Sequence, residues 1–172
     1  MSQGQTRVLI LAADYFEESE LLYPVLRLRE EGIRVDVAGI GTEPVTGKAG
    51  YGPYQVDLSV DQADSHQYDA IVVPGGFAPD ILRRSDEVLG LVREFDAAGK
   101  PVALICHGGW VAISAGILSG RKATSVPAIR VDMENAGVSW VDEPVVVDGN
   151  LITARVPADL GSWMRALINA LS

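Results

Sequence analysis

The chain is predicted to be an α/β protein: three layers, doubly wound on a mostly parallel sheet, with a nucleophile-bearing turn and a short antiparallel ribbon. Three observations predict it. Short Val- and Ile-rich runs recur between segments of helical periodicity, the signature of successive βαβ units. The runs are almost continuously apolar, as strands buried on both faces are. The clusters of polar or flexible residues, Asp14 to Glu20, Pro74 to Asp80 and Cys106-His107, all follow the carboxyl ends of such runs, where ligands bind in doubly wound sheets.

Arg7 to Ala12 reads as the first strand, and Glu17 to Glu31 as a helix with Leu21, Leu22, Val25, Leu26 and Leu28 as its apolar stripe, Pro24 near its start and Gly32 as its stop. Arg34 to Ile40 is the second strand. Residues 42 to 60 carry Pro44, Gly47, Gly50, Gly52 and Pro53, which break any helix, and the alternation over Val56 to Val60 suggests short antiparallel pieces. Tyr68 to Val73 is a third core strand ending in Pro74-Gly75-Gly76. A short helix near Pro79 to Arg84 and a longer one from Asp86 to Ala98 follow, closed by Gly99. Pro101 to Ile105 is the fourth strand, and Gly109 to Leu118 the helix after it. Arg121 to Ser125 is a brief strand and Ala128 to Asn135 a helix stopped by Gly137. Val145 to Val147 and Leu151 to Ala154 flank Asp148-Gly149-Asn150, a hairpin signal. In the last segment, Ala158 to Leu171, the side chains Leu160, Trp163, Met164, Leu167, Ile168 and Leu171 fall on one helical face, which marks core packing.

The 172 residues suit one domain, residues 1 to 172, and suffice to bury a real core. With 48% hydrophobic and 22% charged residues and no low-complexity tract, the composition is that of a globular chain. The formal net charge of −9, with no basic run longer than a pair such as Arg121-Lys122, argues against nucleic acid and anionic membranes as partners. No apolar stretch is long enough to span a bilayer, and the first residues lack a secretory pattern, so a soluble cytoplasmic protein is expected. One cysteine cannot form an internal disulfide. One Cys with His66 and His107 gives no metal-ligand spacing, and no G-x-G-x-x-G or phosphate-binding loop follows the first strand. Neither metal nor cofactor is expected. His66, in a polar stretch, is expected to face solvent.

Val102-Ala-Leu-Ile-Cys106-His107-Gly108 places the only cysteine between a strand and a helix. A thiol reacts as its thiolate, and a helix N-terminus favours an anion, so Cys106 is expected to have a lowered pKa. His107 is the neighbouring group that titrates near neutrality. Strand, sharp turn and helix form a nucleophile elbow with sulfur in the turn. Glu17, Glu18 and Glu20, read alone, are acids favouring a helix start, and Pro74-Gly75-Gly76 is a tight turn.

The stretches F-E-E-S-E-L, V-V-P-G-G, G-K-P-V-A-L-I-C-H-G, S-A-G-I-L-S-G-R-K-A-T-S, N-A-G-V-S-W-V-D-E, V-V-V-D-G-N and R-V-P-A-D-L run in order along essentially the whole chain. In these the sequence resembles the ThiJ/PfpI superfamily, in particular PfpI-type intracellular cysteine proteases and deglycase-like stress proteins. The resemblance implies a flavodoxin-like sheet of the class I glutamine amidotransferase kind. It makes Cys106 the nucleophile with His107 as its partner, and sets Glu20, and with it Glu17, at the sulfur, where a protonated carboxyl can donate to a thiolate. Gly75 and Gly76, with the amide of His107, would form an oxyanion hole.

Three positions depart from relatives. Asp80 stands where PfpI-like proteases carry a glutamate that reaches across a subunit interface to orient the histidine, and stress-related members also carry aspartate there. Trp110 follows Gly109 where many relatives have proline; it either walls the pocket or packs. Val138 stands near the histidine of another group of relatives. The resemblance implies a cofactor-independent cysteine hydrolase of stress protection, acting on small carbonyl compounds or glycated adducts, as a homo-oligomer, either dimer or hexamer. The alternatives are an intracellular peptidase with a Cys-His-Asp/Glu triad, taking peptide substrates, and a non-enzymatic stress protein that senses oxidants through Cys106.

Overall fold

The computed structural model describes residues 5–172; Met1 to Gly4, the start of the region read for a secretory pattern, lie outside the described residues. Strand β1 (Arg7–Leu11) leads through Ala12 to Glu17 into helix α1 (Glu18–Glu30), and β2 (Arg34–Gly39) returns alongside β1 in parallel register. The stripe of α1 is narrower than its sequence suggests. Leu21, Val25 and Leu28 are buried with Pro24, whereas Leu22 is half-buried and Leu26 exposed. Pro24 sits in the middle of the helix rather than at its start.

The ribbon is pinned by one antiparallel bridge, Val45 to Tyr54. The alternation beyond it is not antiparallel: Leu58–Ser59 is strand β3, which adds parallel to β2 at the sheet edge. Then come β4 (Ala70–Val73), α2 (Ala78–Leu82), α3 (Asp86–Ala97), β5 (Val102–Ile105) and α4 (Gly109–Ala115). The pair β6 (Lys122–Ala123) and β7 (Ser139–Trp140), on either side of α5 (Arg130–Asn135), forms a separate parallel two-stranded sheet. Its second strand is too short for a sequence pattern to register. Strands β8 (Val145–Asp148) and β9 (Leu151–Ala154) make the expected hairpin, and α6 (Leu160–Ala170) closes the chain.

The main sheet runs β3-β2-β1-β4-β5-β9-β8, parallel throughout except for β8 on β9. Every residue of β4, β5 and β9 is buried, and only Arg7 of β1 is not, as helices on both faces require. α1 packs against α6, and α2, α3 and α5 gather around α4. Trp163, Met164, Leu160 and Leu167 of α6 lie in the core as its periodicity indicates. The order of winding reverses between β1 and β4, so a crevice opens beyond their carboxyl ends. The loops after β1, β4 and β5 meet there. No helix among the described residues is long and apolar enough to cross a membrane.

Candidate active site

Cys106 leaves β5 with φ at +58°, a left-handed conformation that a side chain adopts only under local constraint, and opens a single 3₁₀ turn over Cys106 to Gly108. The turn is tight because Gly108 lies on β4: a Cβ there would come within 2.6 Å of the Val73 carbonyl oxygen. The elbow read from the sequence is therefore present, with sulfur at its apex. Sγ lies 3.3 Å from Nδ1 of His107, and both residues are half-buried.

Glu20, on the first turn of α1, is completely buried. Its Oε2 accepts the backbone N–H of Gly75 at 2.7 Å, while Oε1 has no hydrogen-bond partner. Burial pushes this carboxyl up to about 7, with the Glu17 charge adding to the effect and the Gly75 N–H opposing it. Gly75 is the hinge of the arrangement: a Cβ on it would stand 2.5 Å from Glu20 Oε2 and 2.7 Å from Cys106 Cβ. Only a residue without a side chain lets the β4 loop pass between acid and sulfur. Its N–H, however, is directed to Glu20, which corrects its assignment as an oxyanion donor. The backbone N–H groups of Gly76 and His107 are the ones that favour a sulfur anion.

The expected lowering of the Cys106 pKa is also corrected. Burial, followed by the Glu20 carboxylate, pushes the thiol up to about 12, and the N–H groups of His107 and Gly76 only partly oppose this. The helix that follows the turn is short, and its field is weaker than the desolvation of a half-buried sulfur beside a carboxylate. Burial, then the charge of Lys48, lowers the His107 imidazole below its ordinary value, which favours its neutral form.

Glu17 is near the site but differently engaged. Its Oε2 is 2.5 Å from Nζ of Lys48, and its Oε1 accepts from Ser19 Oγ at 3.0 Å. Burial alone would raise this carboxyl, but the bonds from Lys48 and Ser19 outweigh it and hold it below the usual range. Glu18 turns to the ribbon and accepts the Ala49 N–H at 2.7 Å. The three acids of one helix start thus have three different environments. Lys48 went unread in the sequence because it lies in the ribbon, far along the chain from Cys106; its N–H bonds to the Phe16 carbonyl and fastens the ribbon over the β1 loop. Its ammonium is stabilised by Glu17 first and by the charges of Cys106 and Glu20 as well.

Asp80 is not brought to His107 within the chain. It is half-exposed on α2 and paired with Arg84 one turn on. Trp110 does wall the site: its ring is 5.0 Å from the His107 ring, tilted 57°, and Nε1 donates to Asp132 Oδ2 at 2.8 Å. His66 is exposed, and Val138 is buried in the core. Among the described residues no group of three or more His, Cys, Asp and Glu side chains is placed to hold a metal ion.

The chain and its fold have counterparts in known proteins. Residues 6–170 match the family model described as the DJ-1/PfpI family. The chain is 50% identical over 165 residues to Deglycase PH1704 of Pyrococcus horikoshii, covering 96% of this chain and 99% of that one. It is 40% identical over 161 residues to General stress protein 18 of Bacillus subtilis, covering 92% and 94%. Among solved structures, a two-domain protein from Anabaena variabilis with DJ-1/ThiJ/PfpI-like and ferritin-like domains superposes with a TM-score of 0.95 at 40% identity; the match covers 97% of this chain and about half, 48%, of that one. The family model spans nearly the whole chain and the relatives match it end to end, and the chain belongs to the DJ-1/PfpI family.

Proposed function

We propose that this protein is a cofactor-independent cysteine hydrolase of stress protection that removes carbonyl adducts from amines, with Cys106 as nucleophile. The observation that carries the reading is the Glu20–Cys106 pair: a fully buried carboxyl with one unpartnered oxygen, raised to about 7, beside the only thiol. One proton serves the two groups. With the proton on sulfur, the site holds a carboxylate and an unreactive thiol. With the proton on Glu20, the carboxyl can donate to a thiolate that the N–H groups of Gly76 and His107 also favour. The second arrangement carries the same net charge and is the nucleophile.

For an adduct of methylglyoxal type, the thiolate adds to the electrophilic carbon. The oxyanion that forms faces the N–H groups of Gly76 and His107. His107, neutral and next to sulfur, passes the proton that the departing amine requires. As the carbon–nitrogen bond breaks and the amine leaves, a hydrogen moves from the sulfur-bearing carbon to the neighbouring carbonyl carbon and leaves a thioester, whose carbon–sulfur bond water then cleaves; adduct and one water thus give the free amine, a 2-hydroxy acid and the free thiol, and no external oxidant or reductant enters. The relatives named as a deglycase and a general stress protein support the same reading. Peptide hydrolysis is the less favoured activity, because it demands a well-oriented imidazole, and the Asp80 carboxylate that would orient it is held by Arg84.

The test is release of the ε-amine from methylglyoxal-treated Nα-acetyllysine, run beside a fluorescent casein assay. The expected result is adduct turnover that Cys106→Ser abolishes, with casein little affected. Adduct turnover undiminished in Cys106→Ser would overturn the proposal.

A further inference from the structure

Next to the imidazole, on the indole of Trp110, opens a cavity of about 370 Å³ lined by Arg83, Trp110, Ile113, Asp132, Asn135 and Ala136. Two of these residues carry opposite charges that are fixed but not joined. Arg83 is half-buried; its Nε donates to Ser114 Oγ at 2.9 Å, and its guanidinium carbon stands 5.5 Å over the centre of the Trp110 ring. Among the described residues its two terminal nitrogens meet no acceptor and no carboxylate. Asp132 is exposed, accepts from Trp110 Nε1 through one oxygen, and makes no ion pair among the described residues. Opposite charges that share a cavity ordinarily close into a pair; here the bonds to Ser114 and to the indole hold them apart.

We infer that this groove binds the α-carboxylate and α-ammonium of a free amino acid. A carboxylate matches the two terminal N–H edges of the guanidinium, and an ammonium on the neighbouring carbon faces the Asp132 carboxylate. The amino acid's side chain then runs along Ile113 and the indole, whose ring stands 5.0 Å from the His107 ring. Resting on the reading of Cys106 as a carbonyl-adduct centre, the inference names the substrate class: adducts on the side chains of free amino acids. Residues inside a polypeptide, whose α groups are tied up in peptide bonds, are excluded from this groove.

Four probes separate the two charges: L-norleucine, its amide, its Nα-acetyl derivative and the Nα-acetyl amide, each titrated into the whole protein. Binding is followed at the Trp110 indole N–H by ¹⁵N NMR, assigned with Trp110→Phe. Norleucine is expected to bind tightest, and loss of either charged end to weaken it about tenfold. Arg83→Met should erase the preference for a free carboxylate and keep that for a free ammonium. Arg83→Lys, which retains the charge, should keep both. Asp132→Asn, which still offers the indole an acceptor, should erase the ammonium preference alone. Equal binding of all four probes, no response at Trp110, or preferences that survive in well-folded Arg83→Met and Asp132→Asn proteins would overturn the inference. Turnover plays no part in this readout. A protein that selects norleucine yet leaves adducts intact refutes the carbonyl chemistry, and one that turns adducts over while treating the probes alike refutes the groove.

Discussion

Replacing Glu20 by glutamine should change how stability depends on pH, with a size set by its burial. In the unfolded chain this carboxyl loses its proton near its ordinary value of 4.5, whereas in the native state it keeps it to about 7. Between those values the folded protein binds the extra proton, so stability falls as pH rises; below 4.5 the contribution is fully present and above 7 it is gone. Each pH unit in the window is worth about 1.4 kcal/mol, so the whole descent is about 3 kcal/mol. For a chain of this size that is roughly 6 to 12 °C in Tm. Glutamine keeps an acceptor for the Gly75 N–H and has nothing to ionise. Its denaturation free energy, measured in urea at pH 4.5, 6 and 8, should therefore match that of the native protein at the lowest pH and exceed it by about 3 kcal/mol at pH 8. Parallel pH profiles for the two proteins would refute the raised carboxyl, and with it the shared proton on which the nucleophile depends.

Gly75→Ala should lose adduct turnover and about 1–3 kcal/mol of stability, since its Cβ would stand 2.5 Å from Glu20 Oε2; kinetics and thermal melting of one preparation check both. Lys48→Met removes a charge that stabilises the sulfur anion, so iodoacetamide should alkylate Cys106 more slowly at pH 8; an unchanged rate would refute the placement of Lys48 in the site. Asp80→Asn should alter Tm little, because a half-exposed pair with Arg84 contributes no more than about 1 kcal/mol, and adduct turnover should persist. Phe95→Ala, at a fully buried side chain, should cost about 3–5 kcal/mol in urea denaturation without changing KM.

Much of the scaffold was legible because its signals are local. The Val/Ile runs, the helix-stopping glycines and the Asp148-Gly149-Asn150 turn each act over a few residues, and strands and helices form close to where they point. Misreadings fall where local pattern competes with distant contacts. Leu58–Ser59 alternates like a ribbon strand yet pairs parallel with β2, and Leu26 lies on the apolar side of its helix by periodicity yet is exposed. The first is decided by a strand from elsewhere in the chain, the second by the lack of any element packed over that side chain.

The sequence by itself determined that Cys106 stands in a sharp turn after a core strand, that acidic and glycine-rich loops share its end of the sheet, and that the chain resembles one family along nearly its whole length. Tertiary structure alone decided what each group does there. It buried Glu20 while pairing Glu17 with Lys48, directed the Gly75 N–H to Glu20, turned Asp80 to Arg84 and raised the thiol instead of lowering it. The physical reason is that turns and strands answer to neighbours in sequence, whereas the charge state of a carboxyl or a thiol is set by desolvation and by charges a few ångströms away in space.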